Sequence, residues 1–97
     1  MNKKEIIEVT IPAEMSNYIE GLLYEVNARK SVIAFCIERN MDMNSEIFQK
    51  YHKDYVEFAA QYEMAKKEME AEYISKKYPT AKWRLDFKTN TLFVEVE

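Results

Sequence analysis

The fold is decided by residues 82–97, KWRLDFKTNTLFVEVE, in which apolar and polar side chains alternate. This period of two is typical of β-strands. The apolar positions on one face are Trp83, Leu85 and Phe87, followed by Leu92, Val94 and Val96. Between the two runs, Asn90 is the residue best able to adopt the left-handed conformation of a hairpin turn. The pattern therefore predicts a β-hairpin over residues 81–97.

A β-hairpin alone is only marginally stable in water, so this one needs a third strand. Residues 5–11, EIIEVTI, are rich in β-branched side chains and alternate in the same way. Ile6 departs from the alternation and lies on the otherwise polar face, where it could be covered or meet a partner. Pro12 ends the strand and suits the first turn of a helix. We therefore predict a strand over residues 5–11.

Two helices fill the chain between the strands. Apolar residues with a helical period predict the first helix over residues 13–40. The segment N40-M-D-M-N-S45 contains three residue types that cap helix N-termini, so the second helix should begin near 44. We predict that it runs to 78, because Pro79 cannot continue it. Its apolar stripe alternates steps of three and four as far as Met69, followed by a further step of four: Phe48, Tyr51, Tyr55, Phe58, Tyr62, Ala65, Met69 and Tyr73.

Two helices joined by a short turn form an antiparallel hairpin, whose free ends would bring the predicted strands together. We therefore predict one α+β domain over residues 1–97, in the order β-α-α-β-β, with a long helical hairpin and a small three-stranded sheet. A turn centred near Met43 would place Gly21 opposite Ala65, where the helices could approach closely. It would also place Arg29 opposite Glu57, where the two side chains could form an ion pair.

The composition excludes several classes of function. The chain has 97 residues, a net charge of −3 and a lone glycine, so no glycine-rich phosphate loop is present. Basic residues form no stripe, and we therefore expect no nucleic-acid binding. A single cysteine forms no intramolecular disulfide, which fits the reducing cytoplasm. No apolar run approaches the length of a membrane span, so we expect no membrane association.

The residues that usually carry catalysis are scarce and isolated. His52 and Cys36 are the lone histidine and the lone cysteine, and neither lies in a zinc-binding spacing. The better interpretation is a buried structural thiol at Cys36 and a solvated imidazole at His52. Ser45 fits a helix cap, and the acidic residues alternate with lysines on helix surfaces. We therefore predict a non-enzymatic protein without a catalytic residue, metal or cofactor.

Aromatic side chains of the second helix are candidate partner-binding residues. The simpler interpretation of Tyr51, Tyr55 and Tyr62 is core packing with each hydroxyl at the rim. The alternative is a contact surface, in which tyrosine is enriched. Because two helices alone cannot bury all their apolar side chains, we expect a second copy or another protein to cover the rest, and predict a homo-oligomer, a dimer. The uncovered set would include Tyr18, Val32, Phe35 and Ala59.

The closing strand suggests a second contact surface. We expect this last strand to have an unpaired edge, to which another chain could add a strand by β-augmentation; the alternative is that Glu95 and Glu97 protect that edge. Phe93 faces away from Leu92 and Val94 and would need a cover. Lys82, Arg84 and Lys88 would frame the same face for an acidic peptide. The predicted partner-binding residues here are Phe93, Glu95, Arg84 and Lys82.

A family resemblance points in the same direction. The initial strand, the helical hairpin with an aromatic-rich second helix, and the closing W-R-L-D-F-K-T-N-T-L-F-V resemble small accessory proteins of peptide-maturation systems, of the CXXX-repeat peptide modification type. Such proteins are encoded beside radical-SAM or related enzymes that modify ribosomally made peptides. The resemblance is strongest in the last third of the chain and carries over no catalytic residue. It implies a non-enzymatic protein that recruits a precursor peptide or supports its maturase.

Two other classes of function fit the same composition. Small, acidic, helix-rich proteins include phage or mobile-element inhibitors that bind a host protein. A self-assembling helical hairpin without any other partner is the third possibility. The first class needs a peptide, the second a host protein, and the third only another copy of the chain.

Overall fold

The computed structural model describes residues 5–78 and 81–96 of the chain. Two helices pack together and three strands form an antiparallel sheet, which confirms the predicted α+β class and the order β-α-α-β-β. The elements are β1 (Glu5–Thr10), α1 (Ala13–Glu38), α2 (Glu46–Tyr73), β2 (Lys82–Asp86) and β3 (Thr91–Val96). The predicted positions Pro79 and Glu97 lie outside the described residues.

The chain divides into two compact units. We call the first, Met1–Glu20 with Ala65–Glu97, the sheet unit, because it contains all three strands. The second, Gly21–Met64, is the helical unit and contains the connection between α1 and α2.

The strand order in the sheet is β1-β3-β2, so the closing strand β3 lies in the centre. The expectation that the last strand offers an unpaired edge is therefore wrong. Chain direction explains the arrangement: β1 and β2 both run antiparallel to β3, and would be parallel to each other if they were neighbours. Antiparallel pairing is slightly more stable per residue, and it is kept in both ladders when β3 is central.

The β2–β3 hairpin has the predicted turn. Asn90 adopts a φ of 54°, in the left-handed region that asparagine tolerates well. The backbone carbonyl of Asn90 accepts a hydrogen bond of 2.9 Å from the N–H of Ile11. Ile11 follows β1 directly and is buried. The turn is thereby tied to the junction between β1 and α1, and the strand predicted over residues 5–11 ends one residue early, at Thr10.

The connection between the helices is ordered by caps at both ends. Asn40 has a φ of 54°, and the N–H groups of Asn40 and Met41 donate to the carbonyls of Ile37 and Cys36. This Schellman motif ends α1 at Glu38, two residues before the predicted boundary. At the start of α2, the Ser45 hydroxyl accepts a hydrogen bond of 3.2 Å from the Phe48 N–H. Ser45 is the predicted N-cap.

The second helix ends at Tyr73, five residues before the predicted boundary at 78. The N–H of Ser75 donates to the carbonyl of Glu70, and the N–H of Tyr78 donates to that of Ile74, so residues 74–77 form turns. Ile74, at the first of these positions, is almost completely buried. The chain therefore leaves the helix where an apolar side chain enters the core, before any effect of the proline.

The core of the sheet unit draws on both helices and on the sheet. Leu92 and Val94 of β3 are fully buried, as their position in the alternation predicts. Trp83 and Leu85 of β2 lie opposite them and share their face. The buried residues of this unit are Ile11, Ser16, Ile19, Ala65, Met69, Ile74, Leu92 and Val94.

The core of the helical unit is smaller, with buried Leu22, Val26, Cys36 and Phe48. The predicted ion pair between Arg29 and Glu57 is wrong. Arg29 instead forms an ion pair with Glu25, one turn earlier on α1, and its guanidinium carbon lies 3.8 Å from the centre of the Phe58 ring. The contact of Arg29 with α2 is therefore a cation–π contact rather than a salt bridge.

Gly21 does not serve the close helix approach that its position suggested. The residue is exposed, and a Cβ built on it would meet no described atom within 4 Å. The glycine is therefore not needed for the packing of the two helices against each other.

Candidate functional site

The sheet unit carries a groove of about 260 Å³ on its sheet. Its lining includes Phe93 and Arg84, which lie on the face opposite to the buried Leu92 and Val94. We call this the outer face. The full lining is Ile6, Lys82, Trp83, Arg84, Phe93 and Glu95, drawn from all three strands.

Strand register explains why these side chains meet. Glu95 of β3 is aligned with Ile6 on one side and with Lys82 on the other. Aligned residues of neighbouring antiparallel strands bring their side chains close together on the same face. The first row across the outer face therefore carries an apolar side chain, a carboxylate and an ammonium group.

The second row is centred on Phe93, which is aligned with Glu8 of β1 and Arg84 of β2. The guanidinium carbon of Arg84 lies 4.6 Å from the centre of the Phe93 ring, within the range of a cation–π contact. The ring is half-buried while Arg84 stays exposed. The arginine therefore covers part of the ring and leaves its own charge available to solvent or to a ligand.

Ile6 supplies the apolar end of the groove. Its side chain is 62% exposed although it is a large aliphatic group. The sequence indicated this position, because Ile6 breaks the alternation of the first strand. Burying an exposed isoleucine contributes about 1.5–3 kcal/mol, so a ligand that covers it gains a hydrophobic term as well as polar contacts.

The β2 strand is anchored from its other face. The indole Nε1–H of Trp83 donates a hydrogen bond of 2.9 Å to the Glu70 carboxylate on α2. Hydrogen bonds to charged groups are the stronger ones in proteins. No sequence pattern indicated this pair, because its two members are thirteen residues apart and lie on different elements. The bond fixes the strand that carries Lys82 and Arg84.

The outer side of β2 forms one edge of the sheet. In the described part of the chain no strand pairs with that side, because the order is β1-β3-β2. Such an edge presents backbone N–H and C=O groups to which an extended peptide can add as a fourth strand. Two basic side chains, those of Lys82 and Arg84, project from this edge strand onto the groove. The free edge therefore belongs to β2 rather than to β3, and it lies next to the predicted partner-binding residues.

The predicted tyrosines form a separate set in the helical unit. Tyr51 is 37% exposed, whereas Tyr55 and Tyr62 are half-buried. All three lie on α2, and Tyr62 makes further interactions of its own. The structure therefore brings Lys82, Arg84, Phe93 and Glu95 together in one groove and places the three tyrosines in the other unit.

Other reactive side chains are placed as the sequence suggested. Cys36 is a buried free thiol, and His52 is exposed with its ring stacked on Phe48 at 6.4 Å. Within residues 5–78 and 81–96, no group of three or more histidine, cysteine and acidic side chains is arranged to hold a metal ion. Neither α1 nor α2, over their described lengths, is long and apolar enough to span a membrane.

Comparisons with known proteins give no indication of function, so the proposal below depends on the chemistry of the surface. No family model, no curated protein and no solved structure matches this chain.

Proposed function

We propose that this chain is a non-enzymatic binding protein that receives an extended peptide segment of a partner on the outer face of its sheet, beside the β2 edge. The observation that carries the proposal is the groove itself. Four residues selected from the sequence as partner-binding, Lys82, Arg84, Phe93 and Glu95, line it together with the exposed Ile6.

Strand addition and side-chain recognition would act together at this site. Backbone hydrogen bonds along β2 supply affinity that is independent of sequence, while alternate side chains of the peptide reach the outer face. Lys82 and Arg84 on the edge strand favour carboxylates at these positions. Phe93, one strand further in, favours an aliphatic or aromatic side chain, whereas Ile6 on the far strand β1 could contact only a part of the partner beyond the added strand. The preferred peptide is therefore extended, with acidic and apolar residues interspersed.

The resemblance to accessory proteins of peptide-maturation systems suggests a source for such a peptide. A ribosomally made precursor presented to its maturase would be held in an extended form, as strand addition requires. In this proposal the protein acts in the cytoplasm, where the free thiol of Cys36 would stay reduced. It contributes binding and presentation, and the partner enzyme contributes the chemistry.

The first experiment selects peptides from a random library displayed on yeast, using the purified full-length protein as the target. Enriched peptides are synthesised and titrated against the wild type and against Arg84→Glu and Phe93→Ser. We expect acidic peptides with interspersed apolar residues, and a loss of affinity of about tenfold or more in each variant, since each removes one half of the recognition. Circular dichroism checks that the variants are folded.

A matched control tests whether charge reversal alone explains the loss. Lys50→Glu makes a comparable charge change at an exposed position of α2 in the helical unit, and should leave peptide affinity unchanged. Amide chemical shifts should move at residues 82–86 and at Phe93 when peptide is added. If the Arg84→Glu protein bound the peptides as tightly as the wild type, the groove would not be the binding site. The same conclusion would follow if only the amide chemical shifts of Tyr51 and Tyr55 moved.

A further inference from the structure

The first helix carries a second apolar face, which its own fold does not cover. In the helical unit, the buried side of α1 is formed by Leu22, Val26 and Cys36. A different set of residues, separated by three, four, four and three positions, is exposed. We call this set the α1 stripe: Gly21, Tyr24, Ala28, Val32 and Phe35.

The five residues of the α1 stripe are uncharged and continuous along the helix, and at its C-terminal end the guanidinium carbon of Arg39 lies 5.0 Å from the centre of the Phe35 ring. At 100° per residue, its five positions fall within an arc of about 80° on the helix. Tyr24 is 72% exposed and Phe35 54% exposed, which is unusual for aromatic side chains on a helix. The flanking Glu25 is already paired with Arg29, so no uncompensated carboxylate borders the stripe on that side. A contiguous apolar face of this kind marks an interaction surface.

We propose that the α1 stripe binds the same stripe of a second copy of the chain, with the two helices antiparallel and crossing at Ala28. The pattern of side-chain sizes favours a second copy of the chain as the binding partner. In a two-fold arrangement each contact occurs twice, so a surface must be complementary to itself. With the axis at Ala28, Phe35 meets Gly21 of the second copy, and Tyr24 meets Val32. A large side chain then faces a smaller one at each level, and two alanines meet at the crossing point.

The space at Gly21 supports this register. Because a Cβ at this residue would meet no described atom within 4 Å, the helix surface there is open to an incoming group. The Phe35 ring of the second copy would fill that space, as a knob packs into a hole between helices. The glycine that the packing of α1 and α2 leaves unexplained thereby acquires a role.

The size of the stripe sets the expected strength of the dimer. From Gly21 to Phe35 the helix rises about 21 Å, so the contact would bury less than about 1,200 Å² in total. Interfaces of that size belong to weak, reversible complexes. We therefore expect a monomer–dimer equilibrium with a dissociation constant on the order of micromolar.

Sedimentation equilibrium of the full-length protein, from micromolar to millimolar concentration, measures this equilibrium. Phe35→Glu and Gly21→Lys each place a charge against an apolar group of the second copy, and each should raise the dissociation constant about tenfold or more. Ile37→Glu is the matched control. Ile37 is an exposed apolar residue of α1 outside the stripe, and its replacement should leave the dimer unchanged.

Mixing the two stripe variants tests the register itself. In a mixed dimer, the carboxylate introduced by Phe35→Glu in one chain would meet the ammonium group introduced by Gly21→Lys in the other. The opposite end of the same dimer keeps the original contact between Phe35 and Gly21. Association should therefore return when the two proteins are combined.

Three outcomes would overturn the proposal. They are a wild type that is monomeric at millimolar concentration, an equal loss of association in Ile37→Glu, and a mixture of the stripe variants that fails to associate. The groove variants Arg84→Glu and Phe93→Ser should not alter this equilibrium, so the two proposals fail separately.

Discussion

The Ser16 side chain is fully buried, and its hydroxyl has no hydrogen-bond partner among the described residues. Its backbone is satisfied, because the N–H donates to the carbonyl of Pro12 at 3.1 Å. A buried hydroxyl without a partner loses its bonds to water and gains nothing in return. The position on α1 therefore tolerates the serine at a cost in stability, and a residue of similar size without the hydroxyl should suit it better.

We predict that Ser16→Ala raises the free energy of unfolding by about 1 kcal/mol, because it removes an unsatisfied polar group and leaves only a small void. Urea denaturation followed by circular dichroism measures the change. Ser31→Ala is the control on the same helix: its hydroxyl is exposed and donates to the carbonyl of Asn27 at 3.0 Å. That change should be close to neutral. A clear fall in stability for Ser16→Ala would show that the hydroxyl has a partner in solution.

Residues of the groove show how far side-chain roles can be anticipated. The alternation of the closing strands placed Phe93 on the outer face with Arg84 and Lys82, and the register bears this out. The cation–π contact of Arg84 with Phe93 depends on cross-strand alignment, which alternation alone does not specify. The hydrogen bond from Trp83 to Glu70 depends on how β2 lies against α2, and therefore has no counterpart in the local sequence pattern.

At the level of the elements, two asparagines end regular structure in the same way. Asn90 in the hairpin turn and Asn40 at the end of α1 both have a φ of 54°. Asn90 could be identified from the sequence because a hairpin turn needs a left-handed residue between two alternating runs. Asn40 lies where a helix pattern meets several capping residues, and its role depends on the hydrogen bond of Met41 to Cys36.

We predict that Asn40→Ala lowers the free energy of unfolding by about 1 kcal/mol, since a Cβ without a local hydrogen-bonding group is disfavoured at positive φ. Asn40→Gly should keep the wild-type stability or exceed it, because glycine adopts this conformation without steric strain. Thermal or urea unfolding measures both. Asn44→Ala, in the same connection but without a positive φ, is the control and should have a smaller effect. A neutral Asn40→Ala would contradict the cap.

Helix and strand positions followed from periodicity, whereas their exact ends and the strand order did not. The end of α2 depends on Ile74, which enters the core of the sheet unit. Periodicity does not reveal when a chain will leave a helix to bury one side chain. The central place of β3 depends on chain direction in both ladders, a property of the assembled sheet rather than of any one strand.

For the whole molecule, the strand order changes the meaning of the closing segment. β3 pairs with β1 on one side and with β2 on the other, and it supplies the fully buried Leu92 and Val94. Removing it would therefore remove the sheet, and would not test recognition separately from folding. Binding is better sought at the β2 edge and the outer face, while β3 provides the core that holds both edge strands in place.

Adjacent residues of β3 allow a test of this division between core and surface. We predict that Leu92→Ala lowers the free energy of unfolding by about 2–5 kcal/mol, because the leucine is fully buried in the central strand. Small domains are stable by only about 5–15 kcal/mol, so the variant should unfold at much lower urea concentration. Phe93→Ala, one position along on the outer face, should cost no more than about 1 kcal/mol, since its ring is half-buried.

In peptide binding the order of the two variants should be reversed, with the larger loss of affinity in Phe93→Ala. Leu92→Ala, measured under conditions where it is folded, should bind the selected peptides nearly as well as the wild type, because Leu92 faces away from the groove. Phe93→Ala should lose affinity while keeping most of its stability, because it removes the aromatic floor beside Arg84. If Phe93→Ala proved as destabilising as Leu92→Ala, the outer face would be a second core surface rather than a site for a peptide.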